Sequence, residues 1–191
     1  MRSPANRRRT VLVALALSLL TAGCSNTVDD KSTPSASASA TTYPTLAVDE
    51  ARSRAKTTAS DLYDMIALPK AKVTQRGPAI SPCDEDPTHL YKTRHPWSVY
   101  GVSEAELKAG FERLHQALPK QGWKVVSYGE ENSEAKSLSL TADSGKDRFS
   151  VNAVLIVSTP TNPHEKEPLI AVTVVSGCWR APKGTDLSAE Y

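Results

Sequence analysis

Three residue types are scarce in this 191-residue chain: it has three cysteines, two methionines and two phenylalanines, and all aromatics together make up 6%. A disulfide-dense scaffold is thereby excluded. No apolar run is long enough to span a bilayer. The longest, Val11 to Leu20, is ten residues broken by Ser18, whereas a spanning helix needs about 20. There is no internal repeat, no Gly-Xaa-Ser-Xaa-Gly elbow and no phosphate-binding glycine loop, so no sequence motif makes a case for catalysis. The four histidines, His89, His95, His115 and His164, form no pair spaced for zinc.

The formal charge of +2 comes from one end. Arg2, Arg7, Arg8 and Arg9 precede the apolar run with no acid among them, and small residues follow it. Charged, greasy and small is the order of a secretory signal. Removing it leaves 23 − 4 = 19 Lys and Arg against 21 Asp and Glu. The remainder is slightly acidic and carries no basic stripe, which sets a nucleic-acid partner aside.

Leu20-Thr21-Ala22-Gly23-Cys24 resembles the lipobox of bacterial lipoproteins, with Thr21 where leucine is usual and Leu20 one place further back. The resemblance implies cleavage before Cys24, a diacylglycerol on its thiol and acylation of the new amino terminus. Two or three acyl chains make a stable anchor, since each buried methylene adds about 0.8 kcal/mol. Arg8-Arg9-Thr10-Val11-Leu12 also resembles a twin-arginine export signal, and a plain basic region would read the same way.

After Cys24 the chain is Ser, Thr and Ala with almost nothing to bury, up to about Thr45. Such a segment is a disordered tether. Roughly 20 residues of coil span about 25 Å. The organisation expected is a signal at 1–23, a tether at 24–45 and one domain at 46–191, large enough for a single core.

Within that domain, Val48, Ala51, Ala55, Ala59, Leu62 and Ile66 form one helical stripe, closed by Pro69. Alanine buries little, so the early turns are expected to fray. A second helix starts at a capping box, Ser103 to Glu106, and continues through Leu107, Phe111, Leu114 and Leu118. Strands are expected at Trp97–Val102, Trp123–Tyr128, Ser137–Ala142, Phe149–Val157 and Leu169–Cys178. Asp143 to Lys146 would form a hairpin turn, and Thr159 to Pro168 a loop. The order α-β-α-β-β-β-β predicts an α+β two-layer sandwich, a mainly antiparallel sheet with two helices on one face.

Cys83 and Cys178 both lie in the exported part, where disulfides persist. Their pairing would close a separation of 95 residues. The alternative, one cysteine as a nucleophile, has no neighbouring histidine motif to serve as its base. Asp84, Asp86 and His89 could converge on a cation, but the loop lacks the glycine turn and final glutamate of a calcium site. A solvated acidic loop is the simpler account. Trp97, Trp123 and Trp179 with Tyr91, Tyr100 and Tyr128 suit core packing or the binding of sugars and proteins.

The arginine-rich signal, the Ser/Thr/Ala tether and the two-cysteine domain resemble actinobacterial lipoproteins of unknown function. So do Phe111 to Leu114, Gly122 to Val125 and the closing Ser176-Gly177-Cys178-Trp179. This resemblance implies a compartment and a fold class, and transfers no catalytic residue. The expectation is a non-enzymatic domain, without metal or cofactor, anchored through Cys24 on the outer face of the cytoplasmic membrane. It would bind a protein or envelope component there. An envelope-acting hydrolase and a carrier of a small ligand or metal are the alternatives.

Overall fold

The computed structural model describes residues 42–74, 76–157 and 167–191. The expected signal, Cys24 and most of the expected tether lie outside these residues. Thr41–Tyr191 forms one compact unit. Its elements run α1 (Val48–Ile66), β1 (Lys72–Val73), β2 (Ala79–Pro82), β3 (Leu90–Tyr100), α2 (Glu104–Ala117), β4 (Lys124–Glu130), β5 (Leu138–Ser144), β6 (Phe149–Ile156), β7 (Leu169–Ser176) and β8 (Trp179–Arg180). Short 3-10 turns occupy Leu118–Gln121 and Leu187–Glu190.

All eight strands join one antiparallel sheet in the order β1-β3-β7-β6-β5-β4, with β2 and β8 also on β3. Both helices cover one face, giving the α+β sandwich expected. Trp97, Val99, Leu140, Ala142, Val151, Ala153, Val172 and Val174 alternate toward Leu62, Ile66, Leu107, Phe111 and Leu114. The intervening residues, such as Ser98, Asn152, Thr141 and Thr173, stay half-buried or exposed on the open face. That alternation is what one wet face requires.

The long helix α1 carries the expected stripe, every member of it buried. Its alanine half serves a second cluster, in which Val48 and Ala51 pack with Leu46, Ile80, Tyr91, Trp179 and Leu187. The small side chains let the helix lie close to bulky aromatics, which supply the buried area that alanine lacks. The helix ends on Ala67 in the left-handed conformation. Its free carbonyls are met from the other helix, where the Arg113 guanidinium donates to Ile66 O at 3.0 Å and to Ala67 O at 3.1 Å. α2 begins with the capping box anticipated from Ser103 and Glu106.

Several boundaries differ from the sequence reading. β3 begins at Leu90, not Trp97, because its first half is polar on alternate positions and is paired on both edges. β1, β2 and β8 are two to four residues long and too short to show a period. Asp143 and Ser144 belong to β5, so the turn falls two residues later, at 145–148. β7 stops at Ser176, before Cys178. The expected loop after Val157 lies mostly outside the described residues.

Candidate functional site

Arg94 pairs with both Ala79 of β2 and Val175 of β7, and Tyr91 with both Pro82 and Trp179. β2 and the β7–β8 segment therefore flank β3 on opposite edges. From Val175 to Trp179 is four steps, against three from Arg94 to Tyr91, so Gly177 and Cys178 sit in a one-residue bulge. The bulge brings Cys178 to Cys83, whose Cα lies 6.3 Å away, and the two form a disulfide. This is the pair expected from the sequence. It closes the amino-terminal end of β3 between its two neighbours.

The acidic loop beside it is a self-satisfied turn. Asp86 accepts from Thr88 Oγ1 at 3.0 Å and lies 2.9 Å from His89 Nδ1. The hydrogen bond from His89, more than that from Thr88, holds the Asp86 carboxyl below the usual range. Asp84 and Glu85 are exposed, and Asp84 is not gathered with the other two residues of the expected trio. Among the described residues, the one cluster with metal-ligand spacing is Cys83, Glu85 and Cys178. Its thiols are spent on the disulfide.

The indoles belong to the core: Trp97, Trp123 and Trp179 are 5%, 9% and 4% exposed. Two guanidinium groups lie near the Trp179 ring, Arg54 at 5.9 Å and Arg148 at 5.4 Å from its centroid. Tyr91 is fully buried and Tyr128 partly exposed. Two Ser-Xaa-Xaa-Lys spacings exist, Ser53 to Lys56 and Ser133 to Lys136, and all four residues are exposed. Neither provides the occluded nucleophile and base that such chemistry needs.

A cleft of about 700 Å³ opens between α1 and the β1–β2 connection. It lies where β3, paired with β7 on one edge, has neither β1 nor β2 opposite His95 to Ser98 on the other. Thr93 N–H points to the β7 side and Ser98 N–H to the β1 side, so strand alternation turns Pro96, which has no N–H, toward the gap. His95 Nε2 donates to Arg76 O at 2.9 Å. His95 Nδ1 and Trp97 Nε1 are buried without a partner in the protein. Lys56, Asp64 and Arg76 stand around the same cleft.

A further cluster has no sequence motif. Tyr128 on β4 donates to Glu112 on α2 at 2.7 Å, and its ring stacks on His115 with centroids 3.7 Å apart. Burial first, then Glu112, pushes the phenol up to about 12. The same bond, with that from Gln116, holds Glu112 low. The four-residue step from Glu112 to Gln116 was legible on the helix; the β4 partner was not.

No protein family, curated protein or solved structure matches this chain. Among the described residues, no helix is long and apolar enough to cross a membrane.

Proposed function

We propose that this chain is a non-enzymatic binding domain, acylated at Cys24 and held on the outer face of the cytoplasmic membrane. There it binds a protein or an envelope component. One observation carries the reading. Of three cysteines, Cys83 and Cys178 are joined in the fold, which leaves Cys24 as the single thiol, within a lipobox-like segment. A persistent disulfide suits an extracytoplasmic setting. The side chains that could have formed an acid–base centre hold structure instead: Asp86 with His89, His95 with Arg76 O, and Tyr128 with Glu112. The open sheet face offers a broad, small-side-chain surface for a partner.

Labelled palmitate supplied to cells making the full chain should enter the protein, and Cys24→Ser should both abolish the label and release the protein from membranes. Unlabelled wild type, or a Cys24→Ser variant that stays membrane-bound, overturns the anchor. Crosslinking in intact cells then identifies what the domain holds.

The cleft beside His95 and Trp97 favours a second reading, a carrier of a small polar ligand, over an envelope hydrolase. His95 and Trp97 line it together with Lys56, Asp64 and Arg76, a mixed polar and apolar wall of the kind that holds small molecules. Native mass spectrometry of the protein taken from its own cells tests it, a bound small molecule lost in His95→Phe being the supporting outcome.

A further inference from the structure

The cleft between α1 and the β1–β2 connection has ends of opposite charge. Lys56, Ser60 and Asp64 follow one another at four-residue steps on α1, so they share one face of the helix, and all three line the cleft. From Lys56 to Asp64 the helix rises about 12 Å. Arg76 lines the cleft from the facing wall. The three charged residues are exposed, and among the described residues none of them joins an ion pair. Those of α1 are made by Asp49, Glu50, Arg52 and Arg54 instead.

The packing decides which end Arg76 joins. Ala51 shares a buried cluster with Tyr91, while Tyr63, further along the helix, meets the Trp97 ring edge-on at 6.4 Å. Helix α1 and strand β3 therefore run the same way. The connection runs back against them, from Val73 opposite Val99 to Ala79 opposite Arg94, and His95 holds Arg76 O on the way. Arg76 is thus placed toward the Lys56 end. Asp64, next to Tyr63, stands at the Trp97 end with Thr74.

We infer that this cleft takes a short extended peptide, its carboxylate toward Lys56 and Arg76 and its free amino group toward Asp64. A dianion would set one negative end on Asp64, and a dication would set one positive end on Lys56 and Arg76. A zwitterion satisfies both. A single amino acid is too short, since one Cα separates its two charges, whereas three extended residues reach about 10 Å. Between the charged ends two hydroxyls are available to peptide groups. Ser60 Oγ donates to Lys56 O and keeps its oxygen for an N–H. Thr74 Oγ1 accepts from Ser98 N–H and keeps its proton for a carbonyl. Ala59, Val73 and the Tyr63 ring supply apolar wall for the side chains. The inference rests on the small-ligand reading of this cleft and names the class of ligand; it does not depend on acylation.

The test is calorimetric titration of the full chain with trialanine, N-acetyl-trialanine, trialanine amide and free alanine. Trialanine should bind, loss of either charged end should weaken it about fivefold, the size of one exposed ion pair, and alanine should bind most weakly. Asp64→Asn should weaken trialanine by the same factor and leave the acetylated peptide unchanged. Lys56→Gln/Arg76→Gln should weaken trialanine and leave the amide unchanged. All three side chains are exposed, and far-ultraviolet circular dichroism checks that each variant is folded. No binding of trialanine, equal binding of a blocked form, or variant effects that do not follow the matching end overturn the peptide. The carrier reading fails separately. A non-peptide molecule released by the native protein and lost in His95→Phe leaves that reading standing while the peptide falls, and no bound molecule together with no trialanine binding removes both.

Discussion

The phenol of Tyr91 donates a 2.9 Å hydrogen bond to the main-chain carbonyl of Leu46, 45 residues earlier in the chain. It fastens the segment that leads into α1 against the start of β3. Arg180 N–H donates to Pro44 O at 2.8 Å, and Leu46 N–H to Arg180 O at 3.0 Å, so order begins before the Leu46 boundary expected from composition. Removing the hydroxyl leaves the Leu46 carbonyl buried beside an apolar ring. Tyr91→Phe should lower stability by about 1–3 kcal/mol, read as a lower urea midpoint. It should also speed proteolysis near residue 46.

Cys83 and Cys178 stand 95 residues apart, and a closure of that length should contribute about 4–5 kcal/mol in the chain-entropy model. A domain of this size has about 5–15 kcal/mol in all. Cys83→Ser/Cys178→Ser should therefore be marginally stable, with a much lower melting temperature that no longer responds to reductant. Wild type should fall to nearly the same temperature once reduced. Two titratable thiols in the unreduced native protein would refute the bridge outside the cell.

The two helices and the central strands could be read from sequence because each buries one periodic stripe: Val48 to Ile66, Leu107 to Leu118, and Leu138, Leu140 and Ala142. The disulfide followed from compartment and count. The amino-terminal half of β3 was hidden, since Lys92, Arg94 and Pro96 look like loop until β2 and β7 pair with them. β1, β2 and β8 exist only through β3 and have no period of their own. The cleft at His95 was equally hidden, because it lies at a break in the ladder opposite Pro96. Tyr128 stood out as an aromatic, but its bond to Glu112 joins residues on different elements.

Gly110 lies at the closest approach of α2 to the end of α1. A methyl group placed there would sit 2.8 Å from Leu68 Cδ1 and 3.0 Å from Ile66 Cγ2. Helix propensity alone favours Gly110→Ala by about 1 kcal/mol. Crowding a packed core costs about 1–3 kcal/mol, and both neighbours are buried, so crowding should win. The expected net loss is about 1 kcal/mol, seen as a lower urea midpoint with an unchanged slope. A stabilised variant would mean that the two helices separate easily at this point.

Two phenols make the fold sensitive to alkali. Burial raises Tyr91 from its ordinary value near 10 to about 12, with Glu50 adding to the effect, and Tyr128 is raised to about 12 by burial and Glu112. Both groups hold their protons more tightly in the folded chain than in the unfolded one. Their contribution to stability is therefore complete below pH 10 and declines between pH 10 and 12 as the unfolded chain alone gives up its protons. Urea midpoints measured from pH 8 to 11.5 should be level at first and then fall. Tyr128→Phe should shallow that fall, and Tyr91→Phe/Tyr128→Phe should flatten most of it while starting from a lower plateau. An equally steep decline in the double variant would place the alkali-sensitive groups elsewhere in the molecule.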